Sequence, residues 1–145
     1  FITSPSIEAH FQGWYTAWAG LDGFLRWAFT CWPADPWRRP GWRFPDWKTG
    51  DMFLVYPGRD GRPVRSLRTE TLLMGIQDFE LIALARRQAK EKPALRQALD
   101  AAFARVVRGA LADFVNLADK RPESLYSLDP ADYDAARQLI VSCLG

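Results

Sequence analysis

Residues 66–90 read SLRTETLLMGIQDFELIALARRQAK, and the fold of this chain depends most on this stretch. Ser66 is a residue type that caps helix N-termini, and apolar side chains then recur at helical spacing. The pattern predicts a helix over residues 66–90. Its predicted inward face consists of Leu72, Ile76, Phe79 and Ala83. A glycine inside a helix costs up to about 1 kcal/mol relative to alanine, so Gly75 indicates close packing against another element.

Three further helices are predicted on either side of this stretch. The pair Ser4-Pro5 suits a helix start, and the first helix is expected to end near Gly20. Its apolar stripe consists of Ile7, Phe11, Trp14, Tyr15 and Trp18. The second runs from Pro93 to about Ala118, with Leu95, Leu99, Phe103, Val106, Ala110, Phe114 and Leu117 on one face. The last begins at Asp129-Pro130 and turns Tyr133, Ala136, Ile140 and Cys143 inward.

Two short strands are predicted between the first two helices. Residues 23–30 are apolar on both faces and bounded by turn residues, which is typical of a strand in a covered sheet. Residues 52–56 form a second brief strand, followed by an exposed turn over 59–63. Prolines and glycines exclude regular structure between residues 33 and 50.

The composition is that of an ordinary globular protein. The chain has 145 residues, of which 48% are hydrophobic and 25% charged, and 19 basic residues nearly balance 17 acidic ones. No basic patch indicates nucleic-acid binding, and no apolar run reaches the roughly 20 residues that span a membrane. One histidine and two cysteines cannot fill a four-ligand zinc site without carboxylates, so no metal or other cofactor is predicted. Cys31 and Cys143 are expected to be free thiols.

Tryptophan is concentrated in one part of the chain. All seven tryptophans lie between residues 14 and 47. The axial C–H groups of a pyranose stack on the face of an indole, so aromatic side chains beside Arg and Asp suggest a carbohydrate cleft. The same side chains could instead fold their loop onto the body as a hydrophobic cover. Composition alone does not separate these two roles.

The single histidine and the paired carboxylates are weak candidates for catalysis. His10 has no Ser or Cys partner at a motif spacing, which favours a structural role. Asp78 and Glu80 point about 200° apart on one helix. Glu70 lies more than two turns away from them. These carboxylates are expected to form salt bridges to Arg68 or to neighbouring helices.

Four ordered blocks of the sequence resemble a known family. They are DGFLRWAF at 22–29 with Trp32 downstream, GDMFLVYPG at 50–58, SLRTE at 66–70 and GIQDFE at 75–80. In this order they resemble the C-terminal part of the catalytic domain of glycoside hydrolase family 123 and its uncharacterised relatives, over about residues 14–90. The chain departs from that pattern at Leu73-Met74, where relatives tend to carry Arg-Asp before the glycine.

The resemblance implies an α/β fold, the C-terminal segment of a (β/α)8 barrel. Its last strand would be residues 23–30 and its closing helix residues 66–90, followed by further helices. Such barrels typically need about 250 residues, so the chain is expected to be a piece of a longer polypeptide. The barrel portion is expected at 1–92 and the packed C-terminal helices at 93–145. The chain itself is expected to be mostly helical.

The resemblance also implies exo-acting β-N-acetylgalactosaminidase chemistry, in which the acetamido oxygen of the substrate attacks the anomeric carbon. An adjacent Asp-Glu pair does the protein's part in that scheme, and none of the 145 residues form such a pair. The pair is therefore expected upstream, and the chain alone is expected to be inactive. The alternative is a non-catalytic carbohydrate-binding or helical packing module.

The expected partners are a carbohydrate with a terminal N-acetylhexosamine and the upstream part of the same polypeptide. The residues carry no targeting signal, and only the resemblance implies an extracytoplasmic location. Active sites of barrels lie at the carboxyl ends of the strands. Trp27 near the end of the predicted strand, Trp32 in the following loop and Tyr56 ending the next strand are therefore predicted to contact substrate. Arg26, on the opposite strand face, is expected to form an ion pair.

Overall fold

The computed structural model describes residues 2, 4–41, 49–115 and 120–144. Within them the chain is mostly helical with one small two-stranded sheet, so the predicted mostly helical α/β class is confirmed. In chain order the elements are α1 (Ile7–Trp18), β1 (Val55–Pro57), β2 (Pro63–Arg65), α2 (Leu67–Gln88), α3 (Pro93–Val106), a 3₁₀ turn (Leu111–Phe114), α4 (Pro122–Leu125) and α5 (Pro130–Leu144).

One hydrophobic core lies where four of the helices meet. Trp14 of α1, Ile82 of α2, Leu95 of α3 and Ile140 of α5 each have no exposed surface in this core. Burying an aliphatic side chain of this size contributes about 1.5–3 kcal/mol, so the four helices stabilise one another. The portions on either side of residue 92 thus pack on the same core, and the boundary placed there stays a prediction.

Helix α1 is confirmed, including its apolar stripe. Ile7, Phe11 and Trp14 are buried and Tyr15 and Trp18 are half-buried. Gly20, just beyond its end, has a φ of 72°, a conformation that L side chains rarely adopt. The helix therefore ends where the sequence predicted, because glycine adopts this conformation at no steric cost.

Helices α1 and α2 pack backbone against backbone at two glycines. A Cβ on Gly13 would overlap the carbonyl oxygen of Gly75. A Cβ on Gly75 would lie 2.5 Å from the carbonyl oxygen of His10, closer than real Cβ atoms approach. Only a hydrogen atom fits at both positions. The close packing that the sequence indicated for Gly75 is confirmed.

Helix α2 begins as predicted, but it buries a different face. The Ser66 hydroxyl accepts the N–H of Thr69, and the Thr69 hydroxyl accepts the N–H of Ser66, which completes a capping box. The buried residues are Gly75, Asp78, Ile82 and Ala85. Their mean direction lies about 110° around the helix axis from that of the predicted face, in which Phe79 packs half-buried against the core, Leu72 and Ala83 are half-buried and Ile76 is exposed. Because the glycine must face α1, Ile76 is turned out and is 43% exposed.

The strand predicted over residues 23–30 is absent from the structure. Only Thr30 pairs, in an isolated antiparallel bridge with Phe53. Leu25 is 89% exposed and Phe24, on the other predicted face, is 40% exposed, so the described residues leave both faces of this stretch uncovered. A strand is stable only when neighbouring backbone pairs with it, and beyond the hydrogen bond from Leu54 N–H to the Phe29 carbonyl no described segment pairs with residues 23–28. The stretch is therefore extended without being a strand.

The second predicted strand is present, but it runs over Val55–Pro57 and not over residues 52–56. β1 pairs antiparallel with β2, and Tyr56 lies opposite Val64. The connecting turn is exposed as predicted, and Gly61 within it has a φ of 77°. β2 was not predicted, because its first residue, Pro63, reads as part of the turn. A proline is compatible with the first position of an edge strand, since no ladder hydrogen bond needs its missing N–H.

Helix α3 ends earlier than predicted. Val106 is its last residue, whereas the periodicity predicted a helix to Ala118. Val107 leaves the helix and forms an isolated bridge with Tyr126. Two β-branched residues followed by Gly109 disfavour helix continuation, and the bridge supplies other hydrogen bonds. Of the remaining predicted face, Phe114 packs against the core and Ala110 is exposed, and Leu117 lies outside the described residues.

Helix α5 is confirmed with its inward residues. Tyr133, Ala136 and Ile140 are at most 1% exposed, and Cys143 is partly buried against the core. Both cysteines are free, as predicted.

We expect that Gly13→Ala, Gly75→Ala or both will destabilise the protein by about 1–3 kcal/mol, because the new methyl group meets backbone that cannot turn away. The sign is informative, since helix propensity alone predicts that alanine gains up to about 1 kcal/mol. Urea unfolding followed by circular dichroism measures the effect. Gly23→Ala is the matched control, because a Cβ there meets nothing within 4 Å. If Gly75→Ala stabilised the protein, the close backbone contact between α1 and α2 would be contradicted.

Candidate functional site

Four aromatic side chains gather around β1 and the loop before it. This aromatic cluster consists of Trp32, Trp37, Phe53 and Tyr56. The ring centroids of Trp37 and Tyr56 lie 4.6 Å apart with a tilt of 30°, and those of Phe53 and Tyr56 lie 5.1 Å apart, edge to face. Trp37 is 57% exposed, whereas Phe53 is 1% exposed. The cluster therefore has a buried base and an open indole face.

Two indole groups fasten the loop to β1. Trp32 Nε1 donates to the carbonyl oxygen of Val55 at 2.7 Å, and Trp37 Nε1 donates to that of Pro57 at 3.0 Å. Residues two apart in a strand turn their carbonyls to the same edge. The opposite edge of β1 pairs with β2. The indoles thus occupy the edge at which a further strand would pair.

Two of the three predicted substrate-contact residues meet in this cluster. Trp32 and Tyr56 both lie there, although the Trp32 N–H is already bonded to backbone. Trp27 is half-exposed in the extended stretch, outside the cluster as defined. Trp37 is a member that the sequence did not single out. Its position in a tryptophan-rich loop was the available signal, and its contact with Tyr56 is visible in the structure alone.

Two arginines lie beside the cluster. Arg26 forms an ion pair with Asp51, which agrees with the ion pair that the sequence analysis expected for this arginine. Both side chains are partly exposed. Arg68 donates to the carbonyl oxygens of Gly50 at 2.6 Å and Phe53 at 2.8 Å, and its guanidinium lies 5.6 Å from the Phe53 ring centroid. Burial lowers the pKa of Arg68, and the neighbouring charge of Arg26 adds to that effect while Tyr56 opposes it.

These arginines line a cavity of about 260 Å³. Its other polar side chains are Ser6, Glu8 and Gln12 of the N-terminal end of α1, and its apolar walls include Phe24, Leu54 and Leu72. Guanidinium, carboxamide and carboxylate groups can bind the hydroxyl and amide groups of a polar ligand. The arrangement offers recognition chemistry, and a nucleophile with an adjacent base is not part of it.

The histidine and the most buried carboxylate form a structural network. Asp78 is 2% exposed and His10 is 4% exposed. His10 Nε2 donates to Asp78 Oδ2 at 2.7 Å, and Trp14 Nε1 donates to the same oxygen at 2.8 Å. Arg137 of α5 pairs with the other oxygen. The predicted structural roles of His10 and Asp78 are confirmed, because both groups are enclosed and already bonded.

Glu70 also forms a salt bridge, with a different partner from the predicted one. Its carboxylate lies 2.6 Å from Arg65 Nε at an exposed position. Arg68 is instead occupied by backbone carbonyl groups. Exposed pairs of this kind contribute about 0–1 kcal/mol, so Glu70 is neither a core residue nor a buried acid. Glu80 is exposed.

The described residues contain neither a membrane-spanning helix nor a cluster of metal-ligating side chains. None of the helices in the described ranges combines the length and apolar composition that crossing a bilayer needs. Within the same ranges, no three His, Cys, Asp or Glu side chains gather as metal ligands would.

Comparison with known proteins identifies a protein family. Residues 1–85 match the family model of the glycoside hydrolase 123 catalytic domain, which covers more than half of the chain. No curated protein matches the sequence. The matched range contains the aromatic cluster, both arginines and the greater part of α2. It ends before α3, so the C-terminal helices lie outside the match.

We expect Asp78→Asn to destabilise the protein by about 1–3 kcal/mol, since the buried N–H groups of His10 and Trp14 lose their charged acceptor. Burial raises the pKa of Asp78, but the hydrogen bonds from His10 and Trp14 and the charges of His10 and Arg137 outweigh that effect and hold the pKa below its ordinary value. A depressed carboxyl pKa contributes stability above the unfolded value, which is lost as pH falls through the folded value.

Urea unfolding at neutral pH and at pH values below about 4 measures both effects. The wild-type chain should lose more stability on acidification than Asp78→Asn. Asp134→Asn, an exposed change on α5, should stay within about 0.5 kcal/mol of wild type. Identical acid dependence in wild type and Asp78→Asn would show that the carboxylate does not carry this linkage.

Proposed function

Since the chain belongs to the glycoside hydrolase 123 catalytic-domain family, we propose that it forms a carbohydrate-contacting wall of such a domain. The family match over residues 1–85 carries this proposal. The proposed substrate is a glycan with a terminal N-acetylhexosamine, cleaved from its end as in β-N-acetylgalactosaminidases. The fold of the whole domain is proposed to be a (β/α)8 barrel, with α2 as its closing helix.

The aromatic cluster supports the sugar-contact proposal. An exposed indole face, such as that of Trp37, attracts the apolar C–H face of a pyranose. Its tilt against Tyr56 and its hydrogen bond to Pro57 hold the ring in one orientation, so little side-chain freedom is lost on binding. Trp27, Trp32 and Tyr56 are retained as proposed contacts, and Trp37 joins them.

The arginines beside the cluster supply the polar half of the proposed wall. Arg26 and Arg68 line the same cavity as Gln12. Arg68 is fixed by two backbone carbonyls, and it presents its remaining hydrogens without further ordering. Donors held in this way suit the hydroxyl and acetamido oxygens of an N-acetylhexosamine.

The proposed reaction needs groups beyond those of this chain. In substrate-assisted hydrolysis the acetamido oxygen of the sugar forms the bond to the anomeric carbon, and the leaving oxygen takes a proton from an acid. The sequence has no adjacent Asp-Glu pair to orient the acetamide and to donate that proton. We propose that upstream sequence of the same polypeptide supplies the pair, while this chain binds and orients the sugar.

The apolar surface of α2 favours a packing role in addition. Leu73, Met74, Ile76 and Leu84 are each 40–44% exposed along this helix. Phe24 and Leu25 of the extended stretch add further exposed apolar surface. Several large apolar side chains exposed on one helix and on the segment beside it favour an interaction surface over a solvated face. We propose the rest of the catalytic domain as the occupant of this surface.

Titration with N-acetylgalactosamine should shift the indole N–H signals of Trp27, Trp32 and Trp37 in two-dimensional NMR. The signal of Trp14 should stay fixed, because this indole is fully buried and bonded to Asp78.

Trp37→Ala or Trp27→Ala should raise the dissociation constant for N-acetylgalactosamine at least about tenfold, which corresponds to a loss of about 1.4 kcal/mol of binding free energy. Leu25→Ala removes an 89% exposed apolar side chain from the same surface and serves as the control. Unchanged signals of all three indoles would contradict the proposed contact.

The chain by itself should not hydrolyse an aryl β-N-acetylgalactosaminide. Proton donation to the leaving group typically contributes about 10²–10⁴-fold, and the proposed donor is not in this sequence. Release of the aryl alcohol, followed by absorbance, measures turnover. Turnover that Glu70→Gln or Asp78→Asn abolishes, in a variant that remains folded, would show that the acid lies in this chain and overturn the assignment.

A further inference from the structure

A groove separate from the cavity of Arg26 and Arg68 lies at the C-terminal end of α2, between this helix and α3. It has a volume of about 560 Å³. Its lining residues include Trp18, Arg86, Arg96, Leu99, Asp100 and Phe103. Arg86 is 18 residues along α2 from Arg68, a distance of about 27 Å at the helical rise. The groove is therefore separate from the aromatic cluster, and it lies almost wholly beyond the residues that match the family.

The rim of the groove carries two cations. Arg86 stacks its guanidinium over the Phe103 ring, 5.3 Å from the centroid. Arg96 donates through Nη2 to the carbonyl oxygen of Ala89 at 3.3 Å. Both side chains are otherwise exposed, and in the described part of the chain no carboxylate lies within ion-pair distance of either guanidinium. The stacking and the backbone bond hold both cations at the groove.

The floor of the groove is apolar. Leu99 and Val107 are buried there, and Trp18 and Phe103 are half-buried aromatic residues. Asp100 is the acidic member of the lining. An anion alone would use the arginines and leave the accessible parts of Trp18 and Phe103 in water. A ligand that fits the groove as a whole therefore needs an anionic group and an apolar face.

We propose that this groove binds an acidic sugar, a pyranose that carries a carboxylate. The carboxylate accepts hydrogen bonds from Arg86 and Arg96, since guanidinium groups match planar oxyanions. The C–H face of the ring lies on the apolar floor beside Phe103 and Trp18, and Asp100 accepts a hydrogen bond from a hydroxyl group of the same ring. This site is independent of the proposed sugar wall and requires no catalysis.

Methyl β-D-glucuronide and its neutral counterpart methyl β-D-glucoside test the proposal in saturation-transfer NMR with the 145-residue chain. The glucuronide should bind with a millimolar dissociation constant, and the glucoside should bind at least about tenfold more weakly. Arg86→Gln and Arg96→Gln should each weaken glucuronide binding at least about tenfold. Arg87→Gln is the matched control, since it removes the same charge from the neighbouring exposed position outside the lining.

The remaining outcomes overturn the proposal. Equal binding of the two glycosides would mean that the carboxylate is not recognised. Sodium sulfate binding as tightly as the glucuronide would define an anion site without sugar recognition. Weakening by Arg87→Gln equal to that by Arg86→Gln would indicate only general charge attraction, and absence of glucuronide binding would exclude the site. Trp37→Ala should leave glucuronide binding unchanged, which separates this site from the proposed sugar wall.

Discussion

The contact between Gly13 and Gly75 sets the position of α2, and with it the rest of the structure. Two helix backbones approach so closely here that neither residue has room for a Cβ. The approach fixes the rotation of α2 about its own axis, because the glycine must face α1. One turn later the same face carries Asp78, which is thereby placed beside His10 and Trp14. A buried carboxylate costs several kcal/mol unless it is paired, so its partners on α1 and α5 are required by the same geometry.

The rotation of α2 also determines which surfaces stay open. Ile76, Leu73 and Leu84 are turned outward because the glycine and aspartate are turned inward. The result is a helix with two non-polar sides, of which one is buried in the described structure. This explains why α2 bears an exposed apolar surface next to the extended stretch of residues 22–29. In a catalytic-domain family, a surface of this kind is consistent with a larger assembly around it.

The two ends of α2 each place arginine side chains beside aromatic rings. At its N-terminal end Arg68 is fixed against the loop that precedes β1, next to exposed aromatic faces. At its C-terminal end Arg86 and Arg96 line a groove with an apolar floor. Both sites combine guanidinium groups with aromatic rings, but only the first lies within the matched family range. The family relationship thus supports the first site, and the second depends on the packing of α3.

The sequence by itself determined the helices, the cap at Ser66, the free cysteines and the family. These follow from local spacing, from local hydrogen bonds, or from residues in a fixed order. The sequence also favoured structural roles for His10 and Asp78, because neither belongs to a catalytic motif. Only the tertiary structure decided which face of α2 is buried, since hydrophobic periodicity detects apolar side chains and is insensitive to a backbone contact through glycine. The tertiary structure likewise decided that residues 23–30 are not a strand, where α3 ends, and that Trp37 packs on Tyr56, because each depends on partners distant in sequence.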